Sequence, residues 1–412
     1  MAKWAKKFTL LAILFYPLDT FKLAMLPGLS LYRIMLIMAT VTAFMSFFRQ
    51  GRVSIPKKIV IPYIILSVVS AIVSAVISSE PAYANSAMLN EISGVILILL
   101  IVILFKYDDV DILLKQYVRS AYWGIPFAVF SWFVLFQNPG EAEIICQFGG
   151  LVKMDITEEF ITSCYHMRLM LPYSSSSVYS GVLATTIAIL VCDNSMYKPV
   201  QRYLLIMVFS LLLVMTQART GLFALAVLLF IYILRMKDKN RKTKMLLLGG
   251  CAIICVVLFV STDEEFVRKF LARFSNNDSD ASIFEDRHFL VPLEGIRIWL
   301  TDVKNFLVGI GYGSAINIKG KWTVIPYFFF NSYITQIVAK GLAGVWIVAM
   351  WIKTRMKMGR LFRKNEGYSG RNKANAAYTV LLVACLTYEY YPYYAFFIIF
   401  AIVLICVNQG KN

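Results

Sequence analysis

The chain has 412 residues, of which 59% are hydrophobic and 16% are charged, and its net charge is +17. Soluble domains carry about 25% charged residues, so this composition, with a mean hydropathy of +0.68, excludes an ordinary soluble protein. Apolar runs of about 15 to 23 residues recur along the chain, and at that length only helices satisfy their own backbone in a bilayer. The composition therefore predicts an all-α, polytopic membrane protein that forms a single domain over residues 1–412.

About twelve apolar segments are predicted to cross the membrane. The first is interrupted by Pro17, Asp19 and Lys22, so a short or re-entrant element is the alternative to a full span there. No small-residue cleavage site follows it, which argues against a removed signal peptide. The predicted spans are 8–25, 30–48, 59–78, 92–105, 117–137, 178–192, 203–217, 220–234, 245–261, 328–352, 376–390 and 393–407.

The distribution of lysine and arginine predicts the orientation. The N-terminus, the C-terminus and five connections on one side of the predicted membrane hold 27 of the 41 lysines and arginines. Positive charge accumulates on the cytoplasmic side, so both termini are predicted to be cytoplasmic. The net charge is then a topology signal with some attraction to anionic lipids, and no nucleic-acid partner is expected.

Two long loops fall on the predicted outer face, at 138–177 and 262–327. Long loops on a rigid scaffold are where function concentrates. Within the second loop, apolar residues of 264–275 share one helical face, as in a helix lying at the membrane interface. Residues 291–307 repeat this pattern, with Leu293, Ile296, Leu300, Val303 and Leu307 at helical spacing.

Four outer arginines are the main candidates for a binding site. Arg168 precedes a span, Arg219 lies in a tight turn between two spans, and Arg287 and Arg297 flank the amphipathic segment of the second loop. Positive charge is disfavoured outside, so its retention beside spans favours anion binding, with pairing to Asp or Glu as the alternative. Guanidinium groups engage phosphate oxygens bidentately, which suits a lipid-linked pyrophosphate.

The candidate bases also lie in the outer loops. The only two histidines, His166 and His288, each stand near an arginine, and a neighbouring positive charge keeps an imidazole neutral and able to accept a proton. Glu294 competes for the same role, with an ion pair to Arg297 as its structural alternative. The sequence does not rank these three residues.

The remaining polar signals are weaker. Gly311 and Gly313 belong to VGIGYGS, which has no βαβ context and so predicts a close turn toward a partner element or a sugar instead of a nucleotide site. Cys146 and Cys164 share the first loop and form a disulfide if that face is oxidising. No metal-ligand spacing is present, and no metal or cofactor is expected.

Three stretches, in this order, resemble signatures of the O-antigen polymerase and O-antigen ligase superfamily. They are TQARTGLFALAVLLFIYIL, RIWLTDVKNFLVGIGYGS and NSYITQIVAKGLAGVW, and RLMLPYSSSSVYSG is a weaker fourth match. The third stretch begins at Asn331, which the resemblance places among the substrate-binding residues. Ligase-like members have a histidine where this chain has Phe330, so the resemblance favours a polymerase.

The resemblance implies a GT-C-like, inverting and metal-independent glycosyltransferase of lipopolysaccharide and surface polysaccharide biosynthesis. Such an enzyme transfers a growing glycan from undecaprenyl pyrophosphate to an incoming lipid-linked repeat unit at the periplasmic face. Membrane lipids and a chain-length regulator are the other implied partners. Two alternatives remain open: an O-antigen ligase or related glycan transferase, and a flippase or transporter for a lipid-linked oligosaccharide.

Overall fold

The computed structural model describes residues 1–26, 29–50, 59–148, 151–153, 158–193, 195–235, 291–312, 316–318, 322–325, 331–364, 369–388 and 393–409. This structure is mostly helical (82%). Four helical stretches are long and apolar enough to cross a membrane: Leu31–Phe48, Val60–Ile77, Pro81–Leu104 and Tyr107–Leu135. Further apolar helices are shorter. The prediction of apolar, membrane-length helices is therefore confirmed.

The N-terminal part forms α1 (Ala2–Phe15), a 3-10 helix (Tyr16–Thr20) and β1 (Phe21–Leu23). The proline ring cannot donate a hydrogen bond and blocks the preceding turn, and Pro17 opens the 3-10 helix where α1 stops. The predicted span 8–25 is therefore wrong in its second half, where the chain turns instead of continuing as a helix. The next three helices are α2 (Leu31–Gln50), α3 (Val60–Ile77) and α4 (Pro81–Leu104).

The span predicted at 117–137 belongs to a longer helical stretch. It contains α5 (Val110–Ser120) and α6 (Gly124–Phe130), joined by a 3-10 turn and followed by a π-helical turn at Ser131–Leu135. The loop after it carries α7 (Ala142–Ile145), β2 (Gln147–Phe148), β3 (Leu151–Lys153) and α8 (Glu158–Tyr165). In the three-stranded sheet β3 lies between β1 and β2 and is antiparallel to both. The first long loop is thus tied to the N-terminal segment.

The middle of the chain forms α9 (Ser176–Val191), α10 (Pro199–Met215) and α11 (Arg219–Arg235). Helix α9 packs against both α10 and α11. A Cβ atom at Gly221 would lie 2.5 Å from the carbonyl oxygen of Ser180, so only glycine permits this approach of α11 to α9. The predicted interfacial helix at 264–275 and the predicted span at 245–261 lie outside the described residues.

The spacing of the apolar residues predicts one helix over the amphipathic segment at 291–307, but the structure has two. It forms α12 (Val291–Thr301) and α13 (Val303–Val308). Asp302 separates them because its carboxylate caps α13, accepting a hydrogen bond from the Asn305 backbone at 2.7 Å. The predicted apolar face exists, and its residues point away from the protein: Leu293, Leu300 and Val303 are all exposed.

The C-terminal part contains β4 (Ile316–Ile318) and β5 (Trp322–Ile325), which form an antiparallel pair, and then α14 (Ser332–Lys340), α15 (Leu342–Lys364), α16 (Ser369–Ala384) and α17 (Tyr394–Gln409). The span predicted at 328–352 is broken at Gly341, which has a φ of +60°. A Cβ atom there would lie 2.5 Å from the backbone of Leu307, so the break lets α14 and α13 meet closely.

Ion pairs at one end of the helix bundle join four of the predicted cytoplasmic segments. Lys6 pairs with Asp109 at 2.9 Å, and the buried Lys373 pairs with Asp111 at 2.9 Å and with Asp193 at 3.1 Å. These contacts join α1 to the turn after α4, and the first turns of α16 to α5 and to the connection after α9. We call this the basic end, and the opposite end, which holds the connections after α1, α3 and α16, the cavity end.

Candidate functional site

A cavity of about 270 Å³ opens at the cavity end of the bundle. Its walls come from the start of α2, the first half of α4, the start of α9, and the turns after α1 and before α17. The lining residues are Tyr16, Pro17, Asp19, Thr20, Lys22, Arg33, Tyr83, Ser86, Ala87, Asn90, Tyr173, Ser174, Val178, Val182, Tyr388, Tyr393, Tyr394 and Ala395. The residues that break the first predicted span are therefore part of a polar and aromatic cavity.

Asp19 organises the charged side of the cavity. Its Oδ1 accepts hydrogen bonds from Ser30, from Lys22 Nζ at 3.2 Å and from Arg33 Nε at 3.2 Å. Arg33 also donates through Nη2 to Asn90 Oδ1 at 3.1 Å. Both cations are thus engaged by oxygen atoms of the protein, which leaves them less able to take up a multiply charged anion.

Three polar groups of the described cavity wall can meet a ligand. The hydrogen bonds to Asp19 from Ser30, Lys22 and Arg33 all end on Oδ1, so its Oδ2 accepts none of these three. Asn90 Oδ1 accepts from Arg33 and from the Tyr394 hydroxyl at 3.2 Å, and its Nδ2 has no bond within the described structure. Ser86 adds an exposed hydroxyl. The cavity thus offers a carboxylate acceptor, an amide donor and a hydroxyl.

The two connections that carry Arg168 and Arg219 are joined by hydrogen bonds. The Leu169 amide donates to the Met215 carbonyl at 3.0 Å, and Gln217 Nε2 donates to the His166 carbonyl at 3.1 Å. We call this contact, with its two arginines, the arginine junction. Arg219 is exposed, and the Nε of Arg168 is buried with no hydrogen-bond partner in the described part of the chain.

One segment connects the arginine junction to the cavity. It starts at Arg168, and its Pro172 carbonyl accepts a hydrogen bond from Thr20 Oγ1 at 2.7 Å. Tyr173 and Ser174 then line the cavity itself, and Ser174 Oγ lies 3.2 Å from the Tyr393 hydroxyl. The weakest of the four sequence matches, RLMLPYSSSSVYSG, therefore links two features that are distant in sequence.

Arg297 and Glu294 pair with each other on α12. Arg297 Nε donates to Glu294 Oε2 at 2.8 Å, and a second bond joins Nη2 to Oε1. The hydrogen bonds and the charge of Glu294 raise the pKa of the Arg297 guanidinium. The structure thus shows the ion pair that the i,i+3 spacing of Glu294 and Arg297 offered as the structural alternative to a role in the site. Helix α12 packs against α14, whereas the arginine junction lies at α10 and α11.

Gly311 serves a close helix contact. Its φ is +88°, and a Cβ atom there would lie 2.7 Å from the Ser74 carbonyl oxygen. The predicted close turn toward a partner element is thus present, and the partner is α3. The glycine signal VGIGYGS is explained by packing at this position.

Asn331 is the N-cap of α14. Its Oδ1 accepts hydrogen bonds from the Tyr333 and Ile334 amides at 3.0 and 3.2 Å, and its Nδ2 donates to the Leu386 carbonyl at 3.0 Å. Ser332 Oγ donates to the Tyr388 carbonyl at 3.0 Å. Asn331 and Ser332 therefore fix the turn before α17, which carries the cavity residue Tyr388.

The other predicted site residues have mixed outcomes. His166 is exposed beside Arg168 at the arginine junction. Arg287, His288 and Gly313 lie outside the described residues. The structure therefore joins the connections that carry Arg168, His166 and Arg219, and it places the Arg297–Glu294 pair on a separate helix.

A buried ionic network was not predicted from the sequence. Lys340 and Glu91 form an ion pair with both side chains 0% exposed. The Tyr312 hydroxyl lies 3.2 Å from Glu91 Oε2 and 2.9 Å from Gln336 Oε1. The predicted span from 92 left Glu91 outside the membrane, whereas α4 begins at Pro81. Glu91 is the single charged residue in a mostly apolar 24-residue helix, and this feature of the sequence indicates a buried ionic partner.

The two loop cysteines are free thiols in one apolar cluster. Cys146 and Cys164 pack with Phe21, Leu135 and other residues of the first long loop. Burial raises the pKa of Cys146 to about 11 and that of Cys164 to about 12. The structure holds no disulfide between them. Among the described residues no group of His, Cys, Asp and Glu side chains has the arrangement of a metal site.

Comparison with known proteins assigns no family. A scan against protein-family models finds no match to this chain, and a search of the curated proteins also finds none.

Proposed function

We propose that the chain is a surface-polysaccharide polymerase of the bacterial inner membrane. It transfers a growing glycan from undecaprenyl pyrophosphate to a hydroxyl of an incoming lipid-linked repeat unit. In this proposal the basic end is cytoplasmic, the cavity end is periplasmic, and about twelve helices of a GT-C-like fold cross the membrane. Its single main support is the segment from Arg168 to Ser174, which joins an arginine pair to a polar, aromatic cavity.

The arginine junction suits the leaving group. During transfer the acceptor oxygen forms a bond to the anomeric carbon while the bond from that carbon to pyrophosphate breaks, and the pyrophosphate keeps the electron pair. Arg219 is exposed, and the buried Nε of Arg168 has no hydrogen-bond partner among the described residues. Fixed guanidinium donors stabilise the negative charge that develops on the leaving oxygen. Such donors supply this stabilisation through hydrogen bonds and charge.

His166 is the candidate base that lies at the arginine junction. A neutral imidazole beside Arg168 can take the proton of the attacking hydroxyl. Glu294 has its carboxylate engaged by Arg297, so it would have to leave this pair to act as a base. His288 stays a prediction of the sequence.

The test is the length distribution of the polysaccharide in cells that carry only a variant chain. We expect Arg168→Ala and Arg219→Ala to reduce the ladder to single repeat units, since each removes a donor to the pyrophosphate. Lys304→Ala is the matched control, because Lys304 is also an exposed cation but lies on α13, away from the arginine junction at α10 and α11. Each variant is first shown to reach the membrane in wild-type amount. Normal ladders from both arginine variants would contradict the proposal.

A transporter for a lipid-linked oligosaccharide is the second candidate, and one observation favours it. Ionisable groups buried inside a helix bundle are typical of transport pathways, and the Glu91–Lys340 pair is fully buried between α4 and α14. A flippase predicts that loss of the chain abolishes all polysaccharide on the outer face. A polymerase predicts that single repeat units still arrive there.

A further inference from the structure

We propose that the cavity at the cavity end binds one neutral sugar ring. This inference deepens the proposed function, since the ring would belong to the acceptor repeat unit. The cavity has a volume of about 270 Å³, slightly below the range of about 300 to 1,000 Å³ that is usual for pockets of drug-sized ligands. Its size fits one ring of a glycan better than a whole oligosaccharide with its lipid.

The charge of the cavity argues for a neutral ligand. Lys22 and Arg33 both bind Asp19, and Arg33 also binds Asn90. Asp19 is the only carboxylate among the described residues that line the cavity, so Asp19, Lys22 and Arg33 together carry a single positive charge. A pyrophosphate carries more than one negative charge and would have to take these donors from Asp19. A neutral ring makes no such demand.

The available groups match the hydroxyls of a sugar. Each hydroxyl can donate one hydrogen bond and accept others. Within the described part of the chain, Asp19 Oδ2 can accept and Asn90 Nδ2 can donate, since the bonds from Arg33 end on Asp19 Oδ1 and Asn90 Oδ1. Ser86, an exposed residue, can do either. Adjacent acceptor and donor groups are what two neighbouring hydroxyls on a ring require.

Aromatic side chains supply the apolar part of the site. Six tyrosines line the cavity, from the turn after α1, the start of α4, the segment before α9 and the turn before α17: Tyr16, Tyr83, Tyr173, Tyr388, Tyr393 and Tyr394. The C–H face of a sugar ring packs against an aromatic ring, and the tyrosine hydroxyl remains at the polar edge. The combination of tyrosines with one carboxylate and one amide therefore favours a sugar over a lipid chain.

The experiment is saturation-transfer NMR on the full chain purified in detergent micelles. The probes are the methyl glycosides of glucose, galactose, mannose and N-acetylglucosamine, with methyl glucuronide as an acidic sugar and inorganic pyrophosphate as a competitor. We expect at least one neutral glycoside to receive saturation from the wild-type chain. Pyrophosphate should leave that signal unchanged.

Two variants place the binding in the cavity. Ser86→Trp puts a large side chain into the cavity without altering Asp19 or Asn90, and it should abolish the signal. Asn85→Trp is the matched control, since Asn85 is exposed on the neighbouring position of α4 and does not line the cavity. Asn90→Ala removes the amide donor and should weaken binding by about tenfold.

Several results would overturn the inference. These are no signal from any neutral glycoside, equal signals from Ser86→Trp and Asn85→Trp, binding of the glucuronide alone, or displacement of the glycoside by pyrophosphate. The readout is separate from polymerisation. Binding in the cavity together with normal ladders from the arginine variants would reject the polymerase and keep the sugar site, and the reverse pattern would reject only the sugar site.

Discussion

Replacing Lys340 by Met is predicted to destabilise the protein strongly. Lys340 and Glu91 are both 0% exposed and pair with each other, so the substitution leaves the Glu91 carboxylate buried without its cation. Breaking a buried ion pair from one side costs about 3 to 5 kcal/mol, because the remaining charge keeps its desolvation cost. The Lys340 ammonium also lies over the Tyr312 ring, 5.3 Å from its centroid, and this contact is lost as well.

The expected shift in melting temperature follows from the size of the chain. An unfolding entropy of about 2.1 cal/mol/K per residue gives about 0.9 kcal/mol/K for a chain of 412 residues. A loss of about 3 to 5 kcal/mol then lowers Tm by about 3 to 6 °C. The assay is thermal unfolding of the purified protein in detergent, followed by tryptophan fluorescence.

The double variant separates the pair from general packing. Glu91→Gln together with Lys340→Met removes both charges and keeps similar volumes, so it should recover most of the loss. The single Glu91→Gln variant should be destabilised because it leaves the ammonium unpaired. A Lys340→Met protein with the Tm of the wild type, or a double variant less stable than both single variants, would refute the reasoning.

Three further predictions concern the connections. Gly311→Ala should lower the free energy of unfolding by more than about 1 kcal/mol, as measured by thermal unfolding. A strained positive φ alone costs roughly that much, and a Cβ atom at Gly311 would in addition lie 2.7 Å from the backbone of α3. Burial raises the pKa of Asp193, but backbone hydrogen bonds and Lys373 lower it below its usual value. A carboxylate with a lowered pKa stabilises the fold above its unfolded pKa of about 3.9 and loses that contribution on acidification, so Asp193→Asn should flatten the loss of Tm below about pH 4. Burial raises the pKa of Cys146 to about 11 and that of Cys164 to about 12. Iodoacetamide should therefore label both thiols slowly at about pH 8 in the folded protein and quickly after denaturation. Rapid labelling of the folded chain would contradict their burial.

Much of the helical fold could be predicted from the sequence. The ends of the predicted spans 178–192 and 203–217 lie within a few residues of the ends of α9 and α10. Long apolar runs in a membrane protein leave few alternatives to a helix. The largest errors occur where a local breaker competes with hydropathy. Pro17 ends α1 early, and Asp302 divides the segment at 291–307 because it caps a new helix.

The candidate site was predictable only in part. Outer arginines are unusual enough in sequence to be noticed, and the connections that carry Arg168 and Arg219 are in contact. Asp19 and Lys22 were noticed only as interruptions of a span, since nothing in their neighbourhood indicates that Arg33 and Asn90 lie beside them. Asn331 caps a helix and Gly311 makes a close packing contact, and a role of either residue in substrate binding stays a prediction.

The sequence by itself determined that the chain is apolar enough for the membrane and that it is helical, because these properties depend on composition and on short-range patterns. The placement of all its basic connections on one side stays a prediction. The tertiary structure decided which polar residues meet. Contacts such as Glu91 with Lys340, or Asn90 with Tyr394, join positions 249 and 304 residues apart. The packing of several helices brings such pairs together, and no local pattern in the chain records it.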